Sequence, residues 1–100
     1  MKNKYYSKRG KYQSIMSLDN DVPIRMIEIE FEKKNDEWIE VRRESEVIDV
    51  EIMKRYKDSI PFFESLGGNE MWTDYDTFIE LISVSPNEDT MIRRKFYDKI

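Results

Sequence analysis

From Ile24 to Arg43 the chain alternates: Ile27, Ile29 and Phe31 interleave with Glu28, Glu30 and Glu32, and Ile39 and Val41 with Trp38, Glu40 and Arg42. A period of two puts successive side chains on opposite faces of an extended backbone, so both runs are predicted strands. Lys33-Lys34-Asn35-Asp36-Glu37 between them supplies turn chemistry, and the pair reads as a β-hairpin. The apolar sets must share one face, and an odd loop achieves this. Lys33 opposite Glu37 sets Phe31 against Ile39 and Ile29 against Val41 on the core side, with Ile27 beside them. The same register sets Glu32 against Trp38, Glu30 against Glu40 and Glu28 against Arg42 on the outer side. Upstream, Tyr12 to Leu18 is expected to add a strand with Ile15 as its core residue.

Downstream the pattern is mixed. Ile48, Val50 and Ile52 alternate, while Ile48, Ile52, Tyr56 and Ile60 fall four apart; the second spacing predicts a helix beginning near Ser45 or Asp49. Pro61 interrupts it, Phe62 to Leu66 adds a short turn, and Gly67-Gly68 ends that turn with left-handed backbone; Phe62, Phe63 and Leu66 are expected in the core. Residues 73–100 support two readings. As a hairpin, Phe78 to Ser85 and Thr90 to Tyr97 flank the turn Pro86-Asn87-Glu88-Asp89. As helices, Thr73 caps a segment presenting Tyr75, Phe78, Ile79 and Ile82, and Ser85-Pro86-Asn87-Glu88 opens another that carries Ile92, Phe96 and Ile100. The hairpin is preferred, because a lone two-stranded hairpin is marginal in water and these strands would complete its sheet.

The expected fold is therefore α+β: a small antiparallel sheet built from an N-terminal and a C-terminal hairpin, with one or two helices. The alternative is the N-terminal hairpin followed by a mainly helical half. Residues 1–11 read as a flexible basic arm and 12–100 as a single domain, since a chain of 100 residues has room for one modest core.

The residue inventory narrows the chemistry. The chain has no cysteine and no histidine, which removes thiolate nucleophiles and metal sites, disulfides, and the commonest general base. No enzyme activity, cofactor or metal is expected. Asp74-Tyr75-Asp76 with Glu80 lacks the spacing of a calcium loop and reads as a surface or capping cluster. Gly67-Gly68 is no phosphate loop, because no Lys-Ser/Thr follows it. No run approaches the ~18 apolar residues of a membrane span, so a cytoplasmic protein is expected.

Charge is segregated along the chain. Residues 1–12 hold Lys2, Lys4, Lys8, Arg9 and Lys11 with no acid; residues 19–51 hold twelve acids against five bases; residues 64–90 hold seven acids and no base; and Arg93, Arg94, Lys95 and Lys99, less Asp98, restore positive charge at the end. Two candidate binding surfaces follow. In the expected register, Glu28, Glu30, Glu32 and Glu40 form an acidic ladder around Trp38, suited to occupying a basic groove on a protein partner. The basic arm, with Tyr5, Tyr6 and Tyr12 among its cations, is suited to phosphates and stacked bases.

Tyr56, the run Ser59-Ile60-Pro61-Phe62-Phe63-Glu64-Ser65-Leu66-Gly67-Gly68, and Leu81-Ile82-Ser83-Val84-Ser85-Pro86 resemble stretches in small uncharacterised proteins of phages of low-GC bacteria. The resemblance covers about half the chain and implies a phage or mobile-element origin, without an activity to carry over. Together these readings give an expected function: a non-enzymatic protein-binding module, such as a phage-encoded inhibitor of a host nucleic-acid-handling enzyme acting through its acidic face. The alternative is a nucleic-acid-binding accessory protein using its basic ends.

Overall fold

The computed structural model describes residues 15–98. Five strands form one antiparallel sheet: β1 (Pro23–Lys34), β2 (Glu37–Asp49), β3 (Asn69–Asp74), β4 (Ile79–Val84) and β5 (Thr90–Tyr97), in the spatial order β2-β1-β5-β4-β3. A bent helical segment, α1 (Val50–Asp58) and α2 (Ile60–Ser65), joins β2 to β3 and packs on one face of the sheet. The α+β class and both hairpins are as expected; the mainly helical alternative for the C-terminal half is not what forms. Strand β3 is a finding, since Thr73 lies inside it instead of capping a helix.

The first hairpin departs from the expected register. Its loop has two residues, Asn35 and Asp36, both left-handed at φ 52° and 65°, so that Lys34 pairs with Glu37. Asn and Asp tolerate that conformation, and turns of this hand match the strand twist. The even loop sets Phe31 against Glu40 and Glu32 against Ile39; a bulge between Glu30 and Phe31 then shifts the pairing, so that Glu30 faces Arg42, Glu28 faces Glu44 and Ile24 faces Ile48. The extra residue exchanges the faces of β2 beyond that point. Parity is thus corrected inside the strand and not by the loop.

Three rows of paired residues cross the helix-side face from β2 to β3. They are Glu46-Met26-Phe96-Ile79-Asp74, Glu44-Glu28-Arg94-Leu81-Trp72, and Arg42-Glu30-Ile92-Ser83-Glu70. The core gathers at one end of this face, where Ile24, Met26, Ile48, Trp72, Ile79, Leu81 and Phe96 meet Val50 and Met53 of α1, with Ile15 also buried against them. Phe96 lies 6.0 Å from Tyr56 and 5.8 Å from Trp72 between ring centroids. This corrects the expected core side. Ile29 is buried but on the opposite face, Ile27 and Phe31 are half-buried there, and Ile39 and Val41 are 43% and 45% exposed. β1 has sheet neighbours on both sides and carries apolar residues on both faces, and only its even-numbered set, Ile24 and Met26, meets the helix. Ile15 and Met16 are helical, not extended as expected, although Ile15 is a core residue.

The helical segment begins where the alternation ends. Asp49 is extended at φ −94° and its Oδ1 accepts the Ile52 amide at 2.8 Å, capping α1. Pro61 brings no amide hydrogen to the ladder, and the chain bends at Ser59 between α1 and α2. Gly67, at φ 93°, turns the chain out of α2: its amide bonds Glu64 O and that of Gly68 bonds Phe63 O, the paired bonds of a Schellman end. Gly68 serves a different need. A Cβ there would lie 2.1 Å from the Phe63 ring, which packs directly over it. Phe62 and Leu66, expected in the core, are instead 69% and 60% exposed, because α2 is too short to present more than one side to the sheet. Among the described residues no helix is long and apolar enough to cross a membrane.

Candidate functional site

The apolar character of the helix-side face ends abruptly. Moving along each strand at fixed parity, Met26 gives way to Glu28, Phe96 to Arg94, Leu81 to Ser83 and Trp72 to Glu70. α1 covers the apolar end. Over the polar end α2 stands off the sheet and leaves a cavity of about 360 Å³, whose wall includes Tyr56, Phe62, Phe63, Glu70, Ser83 and Arg94.

The charged groups beside the cavity fall into two sets. In the first, Arg94 Nε donates to Glu28 Oε1 at 2.8 Å, while Arg42 donates to Glu28 Oε2 at 2.7 Å and to Glu30 Oε1 at 2.9 Å. Arg42 also pairs with Glu44 at 3.1 Å, so three glutamates share two arginines here. Burial pushes the Glu28 carboxyl up, but the hydrogen bonds from Arg42 and Arg94 together outweigh it and hold Glu28 below the usual glutamate value. The Arg94 guanidinium also lies 4.7 Å from the centre of the Tyr56 ring, which fixes it against α1.

Glu70 is the second set. It is 8% exposed, its Oε2 accepts the Ser83 hydroxyl, and its Oε1 is buried with no hydrogen-bond partner among the described residues. Burial raises its proton affinity above the usual glutamate value; Ser83 and the more distant Arg94 oppose the rise, and the neighbouring Glu64 charge adds to it. The two carboxyls on this face are therefore shifted in opposite directions.

The acidic ladder expected from the sequence is not one face. Glu28, Glu30 and Glu32 lie on the helix side, where arginines hold the first two and Lys34 approaches the third at 3.9 Å. Past the bulge, Trp38 and Glu40 pair with Lys33 and Phe31 and so lie on the opposite side. Trp38 packs against the Lys33 ammonium at 5.0 Å, and Glu40 is held by Arg43 at 2.9 Å. No like-charge contact between Glu30 and Glu40 exists, since Glu30 faces Arg42. Of the expected nucleic-acid residues, Lys2, Lys4, Lys8, Arg9 and Lys11 lie outside the described residues. Of the C-terminal cations, Lys99 also lies outside the described residues, and the other three are engaged within the fold: Arg93 binds Glu80 through two hydrogen bonds of 2.9 and 3.0 Å, Arg94 binds Glu28, and Lys95 sits 5.6 Å from the Phe78 ring. Asp74 and Glu80 point to opposite faces of the sheet, and among the described residues no cluster of three or more acidic side chains is placed to hold a metal ion.

Sequence reading passed over Glu70, Ser83 and Arg94. The alternation Glu70-Met71-Trp72-Thr73-Asp74 is the signal that could have found them, because it places Glu70 on the same strand face as buried Trp72. Comparison of the chain with protein-family models, curated proteins and solved structures finds no match.

Proposed function

We propose that the chain is a protein-binding module without a catalytic centre of its own, and that it receives a side chain of its partner in the cavity between α2 and the sheet. The observation that carries this reading is the position of Phe62 and Leu66. They stand one helical turn apart on α2, 69% and 60% exposed, and Phe62 forms part of the cavity wall. An exposed ring in the wall of a pocket, with a second exposed apolar side chain four residues further on, is what a partner covers when it inserts an anchor and seals the rim. The cavity falls in the size range of pre-formed ligand sites, and its wall joins apolar rings to a few polar groups. The lack of cysteine and histidine in the chain favours binding over catalysis. The partner site thereby moves from the acidic hairpin to the helix-side cavity.

A peptide-display selection tests this. Peptides selected on the wild-type protein are expected to lose at least about tenfold in affinity for the Phe62→Ser, Leu66→Ser double variant, whose stability should stay within ~0.5 kcal/mol because both side chains are already largely in water. Their amide-shift footprint should fall on α1, α2 and the facing ends of β4 and β5. Equal binding to the double variant, or a footprint on the other face of the sheet, would overturn the reading.

A further inference from the structure

We propose that the cavity binds a primary ammonium group on an apolar stem, with Glu70 as its counter-charge. The inference rests on the cavity being a binding site and adds the chemistry of what enters it.

The polar wall of the cavity is made largely of acceptors. Ser59 Oγ donates its proton to Tyr56 O at 2.7 Å, and Ser83 Oγ donates to Glu70 Oε2. Thr90 Oγ1 donates to Asp89 Oδ1 at 3.3 Å, and the Ser85 hydroxyl is directed to Asn87 and Asp89 at 2.8 and 3.1 Å. Each hydroxyl proton thus points to another oxygen, and what these groups still offer is lone pairs. The guanidinium in the wall, Arg94, is held by Glu28 and by the Tyr56 ring. Arg94 commits only its Nε–H to Glu28, so it is at Glu70 and these hydroxyls that a ligand must bring donors.

It must also bring charge. Arg42 and Arg94 are taken up by Glu28, Glu30 and Glu44, and among the described residues no ion pair reaches Glu70, whose neighbour Glu64 adds to the negative potential there. A buried carboxylate with one oxygen unpartnered is costly, and an incoming cation removes that cost. The terminal torsion of a glutamate is broad, so a partial turn of the carboxyl can bring the unpartnered oxygen toward the cavity while the other keeps Ser83. Ammonium suits the single open oxygen of Glu70: Ser83 occupies the other, which blocks a bidentate guanidinium pair, and the remaining ammonium donors can go to the Ser59 and Ser83 hydroxyl oxygens. Tyr56, Phe62, Phe63 and Ile92 supply the apolar wall for the stem, and ring faces attract a cation as well. Two sources carry this group: a lysine side chain of the partner, which the proposed function favours, and a free alkylamine.

The test is a set of amide-shift titrations of the full chain with acetyl-Gly-Lys-Gly-amide, the same peptide with norleucine for lysine, n-hexylamine and n-hexanol. The expected result is that both ammonium probes shift the cavity resonances and bind at least about tenfold more tightly than their uncharged counterparts, with that preference lost in Glu70→Gln. Wild-type affinity for the ammonium probes should rise with pH as Glu70 ionises, a readout that needs no variant. Tighter binding of the lysine peptide identifies a protein source, and response to hexylamine alone a small-molecule source; either upholds the ammonium assignment. Equal binding of the norleucine peptide or hexanol in the cavity overturns that assignment and leaves the binding site standing. No response from the cavity to any probe at millimolar concentration overturns the site itself.

Discussion

The two ends of the helix-side face are built from the same strands at the same parity, yet one is core and the other is a site. At the apolar end Met26, Phe96, Ile79 and Trp72 meet Val50 and Met53, and the rings of Tyr56, Phe96 and Trp72 interlock. One row further along, the same strands present Glu28, Arg94, Ser83 and Glu70, and α2 no longer closes on the sheet. Strand parity decides only which face a residue occupies, and the neighbouring helix decides whether that face is dry. A buried carboxyl beside an open cavity marks where folding stops accounting for the residues present.

The contrast makes Phe96→Ala the most damaging change. Phe96 is fully buried among aromatic neighbours, and its truncation should cost about 3–5 kcal/mol in denaturant unfolding. A loss below ~1 kcal/mol would mean the apolar end is not the core.

Breaking the arginine–glutamate set should cost less. Glu28→Gln leaves Arg42 and Arg94 without their shared anion, and a loss of about 1–3 kcal/mol at pH 7 is expected. Because Glu28 is held below its ordinary value, its contribution is present above the unfolded value of about 4.3 and disappears as pH falls through the lower folded value. The gap between wild type and variant should therefore close on acidification; an equal gap at pH 3 and pH 7 would show that Glu28 acts without its charge.

The smallest effect has the opposite sign. Glu70 is shifted upward, so the wild type loses stability as pH rises from about 4.3 through the folded value, and Glu70→Gln escapes that loss. The variant should match the wild type near pH 3 and unfold at a slightly higher temperature at pH 7. A Glu70→Gln protein less stable than wild type at pH 7 would make Glu70 a structural residue and remove the contrast between the two carboxyls.

The hairpins show how far local pattern reaches. The second hairpin was the preferred of two readings only because it completes a sheet: Leu81-Ile82, Met91-Ile92 and Arg93-Arg94-Lys95 break its alternation, and the same residues also fit a helical spacing. In the first hairpin the alternation was clear, but its register was not, since a two-residue turn with a bulge satisfies the same face constraint as an odd loop. That choice carried Trp38 and Glu40 away from Glu28 and Glu30. Strand β3 was missed because six residues flanked by Gly67-Gly68 and Tyr75-Asp76 hold too few alternations to outweigh the helical spacing around them.

Sequence alone determined the alternating strands of the first hairpin, a helix starting near Ser45 or Asp49, the end of the helical segment at Gly67-Gly68, and a chemistry without cysteine or histidine. These are properties of neighbours a few residues apart, set by backbone sterics, local hydrogen bonds and side-chain inventory. Only the tertiary structure decided which face of β1 is core, that Arg42 and Arg94 neutralise the glutamates of the hairpin, and that Glu70 lies buried beside a cavity. Arg94 is sixty-six residues from the Glu28 it binds. The protonation and burial of such groups depend on charges and surfaces brought together by strand order, which no local pattern encodes.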